Sequence, residues 1–151
     1  MAVDAGRALL VDANLVIWAH HRQFELHDRA REWWAETLSS TAFVGIPWST
    51  TLAFLRISTH PRALERPLDI RQAWEVASGW LERANVHAPV PTERHASILG
   101  ELLVEARAGG NHATDAHLAA LAIEWGLELQ SADRDFARYS GLRWRDPLRE
   151  G

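Results

Sequence analysis

The sequence predicts an α/β domain in which a central, mostly parallel sheet is covered by helices on both faces. Short apolar runs alternate with amphipathic helical segments along the chain, and strands separated by helices pair in parallel. The 151 residues, 47% of them hydrophobic, suffice for one domain with its own core. No internal repeat, low-complexity tract or linker divides the chain, so we expect a single domain over residues 1–151.

The first third of the chain predicts two strands and two helices after them. Residues 8–11 (ALLV) indicate a buried strand, and residues 26–40 indicate a helix. A second strand is predicted over residues 42–46, followed by Pro47 and a helix over residues 49–58. The apolar stripe of the helix over 26–40 consists of Leu26, Ala30, Trp33, Trp34 and Leu38.

The middle of the chain carries two helix-start signals. Asp69, with Gln72 three residues later, predicts a capping box. A weaker third strand is expected over residues 85–90, and Thr92 is expected to cap the next helix. The apolar positions of the helix after Asp69 are Ile70, Ala73, Trp74, Ala77, Trp80 and Leu81.

The last third predicts the remaining helices and strands. Gly109 and Gly110 predict the end of the helix that begins near Thr92. Residues 114–126 are apolar nearly all round after the first turn, which predicts a deeply buried helix. A strand over 127–132 and a helical turn over 133–139 follow, with a last strand expected at residues 142–144.

Composition excludes several classes of protein. The chain has no cysteine, which rules out disulfides and thiolate metal sites. It has no 18-residue apolar run and no convincing signal peptide, so we expect a cytoplasmic protein without a membrane span. A net charge of −4 argues against binding nucleic acid by bulk electrostatics, but it does not exclude a nuclease that works through bound metal ions.

Four acids fall where a parallel sheet binds ligands. Asp12 follows the first strand, Asp133 and Asp135 follow the strand over 127–132, and Asp115 lies in the first turn of the buried helix. Carboxylates a few ångströms apart repel by roughly several kcal/mol at an effective dielectric of about 20, so such a group requires a cation. Oxygen ligands favour a hard ion, Mg²⁺ or Mn²⁺.

Each acid also has a purely structural interpretation. Asp12 alone is consistent with a turn at a strand end, and Asp133 with a helix cap. Asp115 alone is consistent with a favourable helix dipole, with Thr114 as the cap. The joint placement of the acids favours a site. Asn14 and Ser131 would then orient carboxylates or a metal-bound water; otherwise they are turn and cap residues.

Three segments in order, VDANLVIWA, WSTTLAFLRISTHPR and TDAHLAALAIEWGLELQSADRDFARYSGLRWRDPL, resemble the PIN-domain ribonucleases, and within them the VapC toxins of type II toxin–antitoxin systems. The resemblance covers roughly residues 8–148. It implies a PIN-like three-layer α/β/α sandwich with a sheet of four to five strands. It also implies a metal-dependent endoribonuclease that cleaves structured RNA such as tRNA or rRNA. The implied assembly is a homodimer inhibited by a VapB-type antitoxin whose tail enters the acidic groove.

The resemblance assigns the metal-binding and catalytic acids to Asp12, Asp115 and Asp133, with Asp135 as a helper. A glutamate common in the family is replaced by Ala53, so the number of ions, one or two, stays open. The expected chemistry is attack of a metal-activated water on the phosphodiester, leaving a 5′-phosphate and a 3′-hydroxyl.

Two other classes compete with the ribonuclease hypothesis. The replacement at Ala53 is the motive for a PIN-like module that binds RNA or an antitoxin without cleaving, whereas the retained Asp12, Asp115 and Asp133 argue against it. A haloacid-dehalogenase-type phosphatase would need an acid at position 14, where the chain has Asn14, and a receiver domain would need a lysine, which the chain lacks.

Several other side chains have two interpretations each. Arg56, Arg134 and Arg138 are candidates for phosphate contacts or ordinary surface residues, and the histidines are read mostly as surface or core-edge residues, with His117 directed away from Asp115. The helices around Trp33, Trp34 and Trp48 are candidates for a dimer or antitoxin surface, although aromatic stripes are more often core.

Overall fold

A computed structural model of the chain describes residues 6–149, which form a five-stranded sheet between two layers of helices. The spatial order of the strands is third, second, first, fourth, fifth, and every neighbouring pair is parallel. The strands are β1 (Ala8–Val11), β2 (Phe43–Gly45), β3 (Val86–His87), β4 (Glu128–Gln130) and β5 (Trp144–Arg145).

The six α-helices divide between the two faces of the sheet. They are α1 (Ala13–His20), α2 (His27–Ser39), α3 (Trp48–Ser58), α4 (Ile70–Leu81), α5 (His95–Glu105) and α6 (His112–Trp125); a 3₁₀ helix follows at Arg134–Arg138. Val11 packs into the core formed with α1 to α4, whereas Leu10 packs into the core formed with α5 and α6. Adjacent residues of β1 therefore serve opposite faces, as a strand requires. The predicted three-layer α/β/α class is confirmed.

Several local predictions are confirmed. The Asp69 carboxylate accepts a hydrogen bond from the Gln72 N–H at 2.8 Å, and the Gln72 side chain accepts from the Asp69 N–H at 3.0 Å. Gly126 ends α6 with a φ of +67°, a conformation that favours glycine. The α6 helix is buried over most of its length, as its apolar sequence predicts.

Two predicted helix starts are wrong. The α5 helix begins at His95 rather than after Thr92, because the Thr92 hydroxyl accepts from the Arg94 N–H at 3.2 Å in a local turn. It also ends at Glu105, four residues before the predicted glycine stop. The α6 helix begins at His112, so Thr114 lies inside the first turn and does not cap it.

The predicted aromatic stripes are only partly buried. Trp34 is 3% exposed and packs edge-on against Trp80 at 5.6 Å between ring centroids, so Trp34 is a core residue and not part of a surface. Ile70 and Trp74 of α4 are 63% and 45% exposed, because this helix buries only its narrow alanine-containing side.

Two further predictions concern the ends of the chain and the membrane. The described residues exclude 1–5 and 150–151, which belong to the predicted domain 1–151. The start of the segment judged not to be a signal peptide therefore lies outside the described residues. Between residues 6 and 149 no helix is both long and apolar enough to cross a membrane.

Candidate active site

The candidate site lies at the carboxyl ends of β1 and β4, the two central strands of the sheet. Asp12 directly follows β1, and its N–H donates to the Gln130 carbonyl at 3.0 Å, which extends the strand pairing by one residue. Oxygen Oδ1 of Asp12 accepts from the Ala13 N–H at 2.8 Å and caps α1. The sequence thus holds this carboxylate where a strand ends and a helix begins.

Ser131 connects Asp12 to the turn that carries Asp133. Its fully buried hydroxyl donates to Oδ2 of Asp12 at 2.7 Å and accepts from the Asp133 N–H at 3.1 Å. The Asp133 carboxylate in turn accepts from the Asp135 N–H at 2.9 Å and caps the 3₁₀ helix. Asp12 and Asp133, on different segments, are therefore oriented by one hydroxyl.

Asp115 approaches from the first turn of α6, with His112 beside it. The His112 Nδ1 lies 3.6 Å from Oδ2 of Asp115 and 3.9 Å from Oδ2 of Asp135. Sequence reasoning missed His112. The signal that identifies it is its position three residues before Asp115, a spacing that places the two side chains on one face of a helix.

Burial and neighbouring carboxylates raise the pKa of Asp12 and of Asp115. Burial raises the pKa of Asp12; the hydrogen bonds from Ser131 and Ala13 oppose this, and the charges of Asp115 and Asp133 add to it, with a net increase. Burial and the charge of Asp133 likewise raise the pKa of Asp115, although His112 counteracts them. The charges of Asp115 and Asp133 therefore act on the carboxylate of Asp12.

The oxygen-bearing side chains of the site suit a hard cation, although their oxygen atoms do not converge on one position. Among residues 6–149 no group of three or more His, Asp or Glu side chains is already arranged to hold a metal ion. However, no arginine within residues 6–149 forms an ion pair with Asp12, Asp115 or Asp133, and Oδ1 of Asn14 is buried without a hydrogen-bond partner. This combination of oxygen donors fits Mg²⁺ or Mn²⁺. Metal binding by Asp12, Asp115 and Asp133 stays a prediction.

The α3 helix begins beside the acidic site. The Thr50 hydroxyl donates to the Val11 carbonyl at 2.7 Å, one residue before Asp12. Ala53, half-buried one turn later, contributes no oxygen ligand. The candidate phosphate ligands Arg56, Arg134 and Arg138 are exposed.

His117 is directed away from the acids, as predicted. Its Nδ1 lies 2.9 Å from Nε2 of His95, between α5 and α6. His95 in turn hydrogen bonds through Nδ1 to the buried carboxylate of Glu124. Because a carboxylate only accepts hydrogen bonds, Nδ1 of His95 is the donor. This network belongs to the packing of the two helices.

The chain is similar to known proteins in both sequence and fold. The family model described as PIN domain matches residues 9–142. Ribonuclease VapC33 of Mycobacterium tuberculosis is 37% identical over 142 residues, which cover 94% of this chain and 99% of the relative. Ribonuclease VapC37 of the same species is 38% identical over 138 residues, covering 91% of this chain and 96% of the relative.

Two solved structures share the fold. VapBC-1 from nontypeable Haemophilus influenzae aligns with a TM-score of 0.64 at 18% identity, covering 94% of this chain and 99% of the other. DNA-bound VapBC from Salmonella typhimurium aligns with a TM-score of 0.63 at 22% identity, covering 94% of this chain and 98% of the other. At these identities the likeness concerns the fold alone.

Proposed function

This chain belongs to the PIN-domain family, in the branch of the VapC ribonucleases, and on that premise we propose that it is a metal-dependent endoribonuclease acting as the toxin of a toxin–antitoxin pair. The proposed substrate is cellular RNA, with tRNA or rRNA as the expected class. The observation that carries the proposal is the Ser131 hydroxyl, which donates to the Asp12 carboxylate and accepts from the Asp133 N–H at the carboxyl ends of two parallel strands, with the charge of Asp115 acting on Asp12.

In this proposal, Asp12 and Asp115 bind the ion, and Asp133 binds it directly or through water. Ser131 keeps the Asp12 carboxylate in one orientation through its 2.7 Å hydrogen bond. A bound Mg²⁺ or Mn²⁺ would activate water and offset the charge of the scissile phosphate. The buried amide oxygen of Asn14 is free to accept a hydrogen bond from a water in the site.

The arginines beside the site have a proposed role in substrate binding. Arg134 and Arg138 belong to the 3₁₀ helix that carries Asp135, and both are exposed, which supports a role for their guanidinium groups in contacting phosphates of the substrate. Hydrolysis breaks the bond between phosphorus and the 3′ oxygen. Water supplies the oxygen of the new 5′-phosphate and the proton of the new 3′-hydroxyl.

The proposed partners are a VapB-type antitoxin and a second copy of this chain. The two solved structures that share the fold are VapBC assemblies, and the acids of the site would attract a basic antitoxin side chain. We also propose a cytoplasmic location, where RNA and antitoxin are synthesised. Light scattering tests the homodimer: the expected mass is twice the 17.0 kDa of the chain, and a mass of one chain at micromolar concentration contradicts it.

The experiment that tests the activity is cleavage of total cellular RNA by the purified, antitoxin-free protein with Mg²⁺, Mn²⁺ or EDTA. The expected result is discrete fragments that EDTA abolishes and that Asp12→Asn and Asp115→Asn each lose. Asp28→Asn is the matched control, because it removes the same charge from an exposed position on α2. Its activity should equal that of the wild type.

An Ala53→Glu variant in the same assay tests the alternative of a weak or inactive PIN-like module. A gain in cleavage would show that the missing acid limits the wild-type protein. Absence of cleavage by every form, with RNA or antitoxin binding intact, would refute the enzyme and leave the binding module.

A further inference from the structure

The loop that connects α3 to α4, residues 59–68, is closed by hydrogen bonds. Its ends are joined by a hydrogen bond from the Leu68 N–H to the Ser58 carbonyl at 2.8 Å, and Leu64 anchors it with only 4% exposure. The Gln23 side chain donates to the Ala63 carbonyl at 3.3 Å and accepts from the Glu65 N–H at 2.8 Å. These hydrogen bonds hold the backbone of the loop against the segment that follows α1.

Exposed arginines surround this closed loop. Two lie in it, one precedes it by one turn of α3, one follows in the first turn of α4, and one adjoins Gln23. Within residues 6–149, none of the five guanidinium groups forms an ion pair or a hydrogen bond. We call this group the arginine patch: Arg22, Arg56, Arg62, Arg66 and Arg71.

The charge of the patch is not needed by the fold. Residues 56–71 contain four arginines and two acids, which gives this segment a net charge of +2. Because the whole chain has a net charge of −4, the remaining residues together carry −6. One of those acids, Asp69, is already engaged as the cap of α4. Arg71 lies in the first turn of the same helix, where a positive charge opposes the helix dipole. Unpaired arginines held together repel one another, so the arrangement favours an anionic ligand.

The α3 helix links the patch to the acidic site. Its start touches the end of β1 through Thr50, and six residues separate Thr50 from Arg56, about 9 Å along the helix axis. An extended polyanion bound at the acids therefore has the arginine patch within reach. Guanidinium groups bind phosphate oxygens in a bidentate manner, and a chain of net −4 needs a local positive surface to attract RNA.

We propose that the arginine patch binds the phosphodiester backbone of the RNA substrate away from the cleaved bond. The choice of RNA as the ligand rests on the proposed function. The patch would supply affinity that depends on salt and not on sequence, and it would favour RNA long enough to reach from the acids to the loop.

The experiment measures binding of a 5′-labelled, single-stranded 20-nucleotide RNA by fluorescence anisotropy in EDTA at several salt concentrations. The test variant is the triple change Arg62→Gln, Arg66→Gln and Arg71→Gln. Each lost phosphate contact lowers the slope of log Kobs against log salt by about 0.7, so the triple variant should lose roughly 2 in slope. Between 50 and 200 mM salt, wild-type affinity should then fall about 20-fold more than that of the variant.

The matched control is the triple change Arg31→Gln, Arg107→Gln and Arg149→Gln, which removes the same charge from exposed positions elsewhere. Equal slopes for the two triple variants overturn the arginine patch, and an acidic protein partner then becomes the better hypothesis. Cleavage with Mg²⁺ is scored in parallel. If the wild type does not cleave but the test variant alone loses slope, the proposed nuclease falls and the RNA-binding patch stands.

Discussion

Two carboxylates of this chain, the buried Glu124 and the half-buried Asp12, have pKa values shifted in opposite directions. The fully buried Glu124 side chain accepts hydrogen bonds from the Thr92 N–H at 2.5 Å and from His95. Burial raises its pKa, but these donors outweigh burial, and the net pKa is below its usual value. Burial also raises the pKa of Asp12, but there the donors do not suffice, and neighbouring acids push it further up. The first carboxylate is satisfied by the fold; the second is typical of a ligand site.

Removing the charge of Asp12 should produce the largest functional effect. We expect Asp12→Asn to lower the rate of RNA cleavage by at least about 100-fold. This is the upper end of the loss seen when a residue that only supports a metal ligand is changed. Its thermal midpoint in EDTA should equal or exceed that of the wild type, because a repelled carboxylate disappears. Scanning calorimetry checks the second expectation; a markedly lower midpoint would mean that Asp12 is a structural residue like Glu124.

Removing Glu124 should have the opposite profile. We expect Glu124→Ala to lower the free energy of unfolding by about 3 kcal/mol, because His95 and the Thr92 N–H lose a buried partner. Urea denaturation measures the loss. Glu101→Ala, at an exposed position of α5, is the control and should change little. Cleavage per folded molecule should be unchanged; a loss greater than the unfolded fraction would contradict the comparison.

Substituting Ser131 should affect both activity and stability, each by a moderate amount. We expect Ser131→Ala to lower RNA cleavage by about 10-fold, because Asp12 loses the donor that orients it. It should also destabilise the fold by about 1 kcal/mol, since the Asp133 N–H loses its acceptor. Steady-state cleavage and urea denaturation of one preparation separate the two effects. Full activity would show that the Asp12 orientation is set by Ala13 alone.

The smallest effect concerns pH. Because the folded pKa of Glu124 lies below its ordinary value of 4.5, its stabilisation is fully present above pH 4.5 and declines as the pH falls through the folded pKa. Wild type and Glu124→Gln should therefore differ less in unfolding free energy at low pH than at pH 7. Urea denaturation of both at pH 7 and near pH 3.5 checks this, and a constant difference would refute it.

The features that could be predicted from the sequence are those set by local patterns or by the general geometry of a parallel sheet. The capping box of Asp69 and Gln72 and the end of α6 at Gly126 are local patterns, so they were predictable. The acids after β1 and β4 were predictable because a parallel sheet directs the ends of its strands to one edge.

Long-range pairs were not predictable in the same way. Glu124 meets His95 across 29 residues, and neither residue type indicates a partner at that distance. Glu124 also explains the wrong helix start predicted at Thr92. The Thr92 N–H donates a hydrogen bond to the Glu124 carboxylate, and this tertiary contact holds Thr92 outside the helix. His112 was missed because a single histidine three residues before an acid is equally consistent with an ordinary pair on a helix surface.

The central position of β1 affects how the protein is made. This first strand pairs with β4, and Asp12 receives its hydrogen bond from a residue 119 positions later. During synthesis, a chain shorter than about 130 residues lacks both β4 and Ser131. Forming such distant contacts is also slow. Under the proposed activity, a nascent chain therefore completes the acidic site only after Ser131 has been synthesised.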